Sequence, residues 1–305
     1  MAHVPVVPHV RVRAALLSVA VSLALLALKF VAYLLTGSAA ILSDAAESVV
    51  NVLAANIALY SLVIASRPPD EGHRYGHGKA EYVSSASEGA MIFLAGVVVI
   101  GNAVHRLVRP VPLAYLPAGV GLVALAAAVN YLVARWLLQI SRRQDSAALE
   151  ADARHLFADV TTSVAVIVGL GVQISAGLPW VDPVVGILVG GHIIRMGWQV
   201  SQSSLAGLMD TRLPEDEEAQ VRRILADHAD EIVEYHSLRT RKAGRDRFID
   251  LHLVLHRIMS VGQAHALCDD LEAHIQEALP HTDVTIHVEP CPVSCARCAG
   301  RPART

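Results

Sequence analysis

The apolar positions of this chain fall into two regimes. From residue 14 to residue 205 they gather into long Ala/Val/Leu/Ile runs, whereas residues 210–290 mix apolar and polar positions as a water-soluble domain does. A membrane-spanning helix needs about 20 mainly apolar residues, and six segments meet that need: 12–35, 41–66, 84–107, 113–138, 150–176 and 181–205. The first reads as a span rather than a cleaved leader, because its run continues past Lys29 into Phe30–Leu35 and a second apolar segment follows at once. In the second regime, Pro214 and the acidic run Glu215–Glu218 open a helix over 214–229. Strands are expected at 231–241 and 246–257 around Gly244, then a helix at 262–279 and a strand near 283–289. That αββαβ order fits a small ferredoxin-like α+β layer. The expected fold is a membrane all-α six-helix transmembrane domain followed by a small cytoplasmic α+β domain. The expected segments are 1–11 (N-terminal, cytoplasmic), 12–208 (transport), 209–291 (metal-binding and dimerisation) and 292–305 (a disordered, Cys-containing tail).

Composition strengthens the membrane reading. The 305 residues are 53% hydrophobic and 17% charged, against about 25% charged in ordinary soluble domains. A net charge of −3 gives no sign of a nucleic-acid partner. Fifteen His against four Cys point to metal chemistry in a reducing compartment rather than to disulfides. Basic residues set the orientation. With a cytoplasmic N-terminus, the inner segments hold Arg11, Arg13, Arg67, Arg74, Lys79, Arg142 and Arg143, and the outer loops hold Arg106 and Arg109. An even number of spans returns the C-terminal domain to the cytoplasm, so the expected location is the cell (inner) membrane.

Polar residues inside the spans carry the chemistry. An ionised side chain at the bilayer centre costs roughly 2.5–3.5 kcal/mol on insertion scales, so such residues face a cavity and have a use. Asp44, Glu47 and Asn51 in the second span are three and then four positions apart, and Asp152, His155 and Asp159 in the fifth repeat that spacing. Each set shares one helical face. Facing one another, Glu47, Asn51, His155 and Asp159 offer three oxygens and one imidazole, a set suited to a tetrahedral divalent ion. Asp44 and Asp152, nearer the helix ends, are accessory candidates. A purely structural contact would bring only about 0.6 kcal/mol per interhelical hydrogen bond, a poor return for buried carboxylates. Between the second and third spans, Arg67–Lys79 contains two Pro and three Gly, so it is a shaped loop rather than a helix. Asp70, His73 and His77 there can hold a second ion, although a solvated turn with incidental His is the bland alternative.

Taken in order, these features resemble the cation diffusion facilitator family. The likeness is carried by the Asp44–Asn51 face, the His-Arg-Tyr-Gly-His-Gly-Lys-Ala-Glu segment ending at Glu81, the His155/Asp159 pair and the His-bearing C-terminal domain, and it extends over about residues 11–291. The resemblance implies six spans, a homodimer in the lipid bilayer, a cytoplasmic ferredoxin-like domain and exchange of metal against protons. It implies a transport site at Glu47, Asn51, His155 and Asp159, a loop site at Asp70, His73 and His77, and a cytoplasmic metal cluster at His236, His252, His265, His287 and Glu289. Lys79 and Asp210 form a candidate structural or gating ion pair. The sequence departs from the zinc members' pattern at Glu47, where they carry Asp or His, and at Asn51, where they carry Asp. A neutral amide lowers the site's charge and softens the preference for zinc over iron(II), cobalt, nickel, cadmium or manganese. Glu289 likewise replaces the usual Asp.

The function expected is therefore efflux of a divalent cation, zinc first, with the ion as substrate and regulator and no organic cofactor. A membrane-anchored metal sensor is the alternative reading, though an anchor has no use for ligands inside its spans. A metallohydrolase is disfavoured, since zinc hydrolysis needs an open coordination position and a general base and the chain has no His-Glu-x-x-His. Cys291, Cys295 and Cys298 could bind a soft metal, but three thiolates make an incomplete site.

Overall fold

The computed structural model describes residues 9–36, 39–109, 117–176 and 180–295, which divide into two compact units, Met1–Leu208 and Met209–Thr305. In the first unit, six helices of 27 to 30 residues follow one another: α1 (His9–Thr36), α2 (Ala39–Ala65), α3 (Ala80–Val108), α4 (Pro117–Gln144), α5 (Ala147–Ala176) and α6 (Val181–Leu208). At about 1.5 Å per residue each is some 40 Å long, enough for a bilayer. Among the described residues, Val10–Val31, Ala80–His105 and Ala124–Gln144 are long and apolar enough to cross a membrane, and Asn51–Ala65 is a shorter apolar stretch. The fourth helix runs further toward its C-terminus than the expected 113–138. Arg142 and Arg143 lie in its last turn, where cations oppose the helix dipole favourably. It ends only at Asp145, whose φ of 49° breaks the helical path.

Small residues set the packing in this unit. Ala14, Ala15, Ala58, Ala134, Ala148 and Ala153 are buried with Leu62, Leu137, Leu149 and Leu156 in a cluster drawn from α1, α2, α4 and α5. The α3–α6 contact is closer still. Gly89 and Gly96 of α3 lie opposite Gly197 and Gly190 of α6, each pair spaced seven residues apart so that it recurs on one face. A Cβ on Gly197 would stand 2.5 Å from the Phe93 backbone nitrogen and 2.7 Å from the Gly89 carbonyl oxygen. Close backbone approach at small residues is how helices associate where no hydrophobic effect drives them.

A buried polar network ties three helix ends together. The Arg11 guanidinium donates to the Glu81 carboxylate, and the Ser146 hydroxyl donates to the other Glu81 oxygen at 2.5 Å. Arg11 and Glu81 are 2% and 0% exposed, so each charge is matched inside the protein rather than by water. Arg11, counted in the sequence among the basic residues of the inner side, is buried near the start of the first helix.

The second unit has the order α7 (Glu215–Asp227), β1 (Glu234–Ala243), β2 (Asp246–Leu255), α8 (Val261–Ala278) and β3 (Thr282–Pro290), the αββαβ order expected. Its mixed sheet runs β1-β2-β3, antiparallel between β1 and β2 and parallel between β2 and β3. The parallel pair requires a crossover, which α8 supplies. Gly244, at a φ of 63°, sits in the tight turn between the antiparallel strands. Four acidic residues in the first turn of α7 complement its dipole. A reciprocal capping box, Ser260 with Gln263, starts α8. Alternate residues of β2 (Ile249, Leu251, Leu253, Leu255) join Leu267, Leu271 and Ile275 of α8 in one core, which leaves the other sheet face free for polar side chains. Arg247 grips both oxygens of Glu217 at 2.9 and 2.6 Å, fastening β2 to the start of α7.

The glycine seam yields a test. Gly197→Ala forces α3 and α6 apart, and overpacking of this kind costs roughly 1–3 kcal/mol. Gly191→Ala, with nothing within 4 Å of its added methyl, is its control. The expected outcome in detergent is a lowered thermal midpoint and reduced monodisperse yield for Gly197→Ala, with Gly191→Ala unchanged or slightly improved.

Candidate metal sites

In the first unit, α2 and α5 bring Asn51, His155 and Asp159 together, all of them buried. The Asn51 amide nitrogen donates to an Asp159 carboxylate oxygen, and Asn51 Oδ1 lies 2.7 Å from His155 Nε2. The chemistry fixes the assignments. An ionised carboxylate only accepts, so the amide must turn its NH2 toward Asp159, which leaves its oxygen facing the imidazole. That oxygen can only accept, so His155 carries its proton on Nε2. His155 Nδ1 is buried and has no hydrogen-bond partner among the described residues. The group therefore has two ligand-type atoms held in partnership by one amide and a third left bare.

Of the remaining residues expected here, Asp152 lies one turn from His155 and is 2% exposed, with one carboxylate oxygen unpartnered among the described residues. The side chains of Asp44 and Glu47 lie outside the described residues. Sequence reasoning passed over Glu88. It is fully buried on α3, and neither of its carboxylate oxygens has a hydrogen-bond partner among the described residues. It was visible as the sole acidic residue of the apolar segment 84–107, and the cost of a buried carboxylate applies to it as to Asp159.

The loop between α2 and α3 gathers Asp70, His73 and His77, with ligand atoms all within 4.8 Å of one another. Asp70 accepts at Oδ1 from the backbone nitrogens of Gly72 (2.9 Å) and His73 (2.7 Å), the self-made turn typical of Asp. Its oxygens also face His73 Nδ1 and His77 Nε2, each at 3.3 Å. Gly76, at a φ of 79°, bends the chain so that the two imidazoles lie 4.5 Å apart. The backbone hydrogen bond from His73, with smaller contributions from both imidazoles, holds the Asp70 carboxyl below its ordinary value despite some desolvation. It remains an anion across the range in which His titrates, as a cation ligand must. Lys79, at the end of this loop, donates to the Leu208 carbonyl at 3.3 Å, while Asp210 lies 3.4 Å from Arg241 within the second unit.

On the open face of the sheet, strand register aligns imidazoles in a row. His236 is opposite His252 across β1 and β2, and His252 is opposite His287 across β2 and β3. Their ring centroids are 5.2 and 4.8 Å apart. Glu289, two residues past His287 and so on the same face, reaches His252 Nδ1 at 2.9 Å, His236 Nε2 at 3.7 Å and His287 Nε2 at 3.8 Å. His236, His252 and Glu289 hold ligand atoms within 4.8 Å of one another. His265 is not among them. It stands on α8, where its closest carboxylate is that of Asp269 at 3.6 Å. Cys291 is buried at the end of β3 and Cys295 is partly exposed, while Cys298 lies outside the described residues.

Comparison with known proteins supplies the context for these sites. Residues 15–209 match the family described as "Cation efflux transmembrane domain", and residues 213–291 match "Cation efflux protein, cytoplasmic domain". An uncharacterized transporter of Synechocystis sp. is 38% identical over 276 residues, covering 90% of this chain and 89% of the relative. The cation-efflux pump FieF of Salmonella typhi is 30% identical over 285 residues, covering 92% of this chain and 93% of the pump. A solved structure, "Mode of Action of a Putative Zinc Transporter CzrB (Zn form)", is 40% identical over 27% of this chain and 92% of its own, with a TM-score of 0.26. The chain belongs to the cation diffusion facilitator family of divalent-metal efflux transporters, which are not enzymes.

Proposed function

We propose that this protein exports a divalent cation, zinc ahead of its first-row neighbours, from the cytoplasm in exchange for protons. The observation that carries the proposal is the meeting of Asn51, His155 and Asp159 inside the helical unit. In this reading all six long helices are spans, the second unit faces the cytoplasm with the N-terminus, and the chain works as a homodimer. Glu47, one turn from Asn51 on the same helix, supplies the fourth ligand.

The arrangement suggests how the exchange runs. Without metal, the Asn51 amide satisfies both neighbours at once: it donates to Asp159 and accepts from His155. A cation entering the site takes the Asp159 oxygens and an imidazole lone pair, and the amide turns its own oxygen to the ion. Binding therefore requires neutral imidazole, and a proton returning to His155 removes a ligand and weakens the site. Asn51 itself has no proton to exchange. An Asp at that position would set two carboxylates side by side and add one titratable group. The mixed oxygen and nitrogen donors suit zinc, with cobalt, nickel, iron(II), cadmium and manganese as competitors. The loop group and the sheet-face group at His236, His252, His287 and Glu289 serve as accessory and regulatory metal sites.

Two experiments test this. In everted membrane vesicles with an acidic lumen, the wild type should accumulate zinc, and collapsing the pH gradient should abolish the accumulation. His155→Ala and Asp159→Ala should each reduce flux by more than the ~10–100-fold typical of losing a residue that merely supports a metal ligand, with the protein still monodisperse. Zinc accumulation indifferent to the pH gradient would sink the exchange, and full flux in either variant would sink the site. Zinc binding without any flux in the wild type would favour the sensor reading. The second experiment counts protons. Asn51→Asp should release more protons per zinc bound than the wild type in weakly buffered detergent solution, and should shift the pH optimum of transport. An unchanged proton count would show that residue 51 stands outside the exchange.

A further inference from the structure

We infer that the second unit holds another divalent-metal site, built from His228, Asp270 and His274 where the end of α7 meets α8. It is separate from the group on the sheet face and stands whether or not the transport reading holds. The three residues present ligand atoms within 4.8 Å of one another. His228 Nε2 and His274 Nδ1 both converge on one oxygen of Asp270, at 3.1 and 3.4 Å. The edge of a tetrahedral zinc site with ligands at about 2.0–2.1 Å is about 3.3 Å, close to both His–Asp270 distances. Two ligands come from one face of α8, four residues apart, and the third from the residue that ends α7. Three protein ligands leave one position for water.

The tautomer of His228 makes this more than a chance grouping. Its Nδ1 lies 2.8 Å from the Ile224 carbonyl oxygen, which can only accept, so Nδ1 carries a proton. In the neutral ring, Nε2 then points a lone pair at the Asp270 carboxylate, two acceptors face to face. The contact is favourable only if something positive lies on Nε2: a second proton, or a metal ion. A ligating imidazole that donates its other N–H to a backbone carbonyl is the usual support for a bound metal, because that bond fixes ring orientation and raises basicity. The end of α7 adds a second attraction for positive charge through its dipole, and Glu231, whose backbone nitrogen donates to the His228 carbonyl at 3.0 Å, adds a third. The hydrogen bond to Ile224 and the Asp270 carboxylate raise the proton affinity of His228 above its ordinary value despite partial burial. When no metal is bound, the proton takes the same place.

The site differs from the sheet-face group in its mechanical effect. An ion held there joins the end of α7 to the middle of α8, two elements that otherwise meet through apolar contacts in the core.

The test uses the full chain in detergent, stripped of metal and dialysed against zinc alone. Bound zinc is counted per chain, and hydrogen exchange is followed over residues 222–232 and 266–278. Asp270 and His274 are about half exposed, so His274→Ala should leave the metal-free thermal midpoint nearly unchanged, and Asp270→Asn should lower it only by the loss of a half-exposed ion pair with His228. Each variant should bind one zinc fewer per chain than the wild type. That loss should add to the separate loss caused by His252→Ala, and zinc should slow exchange over 222–232 in the wild type but not in His274→Ala. Unchanged zinc counts in both Asp270→Asn and His274→Ala, with no zinc-dependent protection over 222–232, would overturn the site and leave His228 as a protonated ion-pair partner of Asp270.

Discussion

A polar group buried in the helical unit is costly unless the protein itself supplies its partner, and the contact on which the candidate transport site depends is the Asn51 amide between His155 and Asp159. His155 and Asp159 lie four residues apart on α5, and in this arrangement each is paired across the interface with Asn51 of α2. An amide on the facing helix can satisfy both, because it is a donor at one end and an acceptor at the other. That dual capacity joins α2 to α5 through both Asp159 and His155. Among the described residues, none pairs with His155 Nδ1. One neutral group thus contacts both ligand-type side chains of α5.

The surroundings show a division of labour between polar and small residues. Charge is handled at the helix ends, where Arg11, Glu81 and Ser146 form a closed network among α1, α3 and the start of α5. Small residues govern the close packing between helices, with buried alanines among α1, α2, α4 and α5 and facing glycines between α3 and α6. Glu88 and Asp152 are exceptions, buried with carboxylate oxygens that no described donor satisfies. In the second unit the solution is that of a soluble protein: one sheet face packs on α8 while the other carries the imidazoles.

Much of this was legible from local sequence because the signals are periodic. Positions three and four apart placed Asn51 on one helical face and His155 with Asp159 on another, and alternation along β2 and β3 put His252, His287 and Glu289 on the polar side of the sheet. Local patterns do not report which distant segment completes a site. Arg11 and Glu81 are separated by 70 residues, and only the fold shows that they pair in the interior. His265 fitted the family pattern yet stands with Asp269 on α8, whereas His228, Asp270 and His274 attracted no notice because two elements 42 residues apart supply them. Gly89 and Gly96, like Gly190 and Gly197, are seven residues apart in the sequence, but spacing alone does not say what they face.

That glycine seam also has a mechanical meaning. Contacts between side chains can absorb a displacement by changing rotamer, but where backbone meets backbone there are no rotamers to change, and a dense contact transmits strain instead of dissipating it. The third helix begins directly after the Asp70–His77 loop, and its partner ends at Leu208, whose carbonyl receives Lys79 from that same loop. The two helices are thus joined backbone to backbone along their length, and a displacement at the loop end of α3 has no side-chain slack between the helices in which to dissipate.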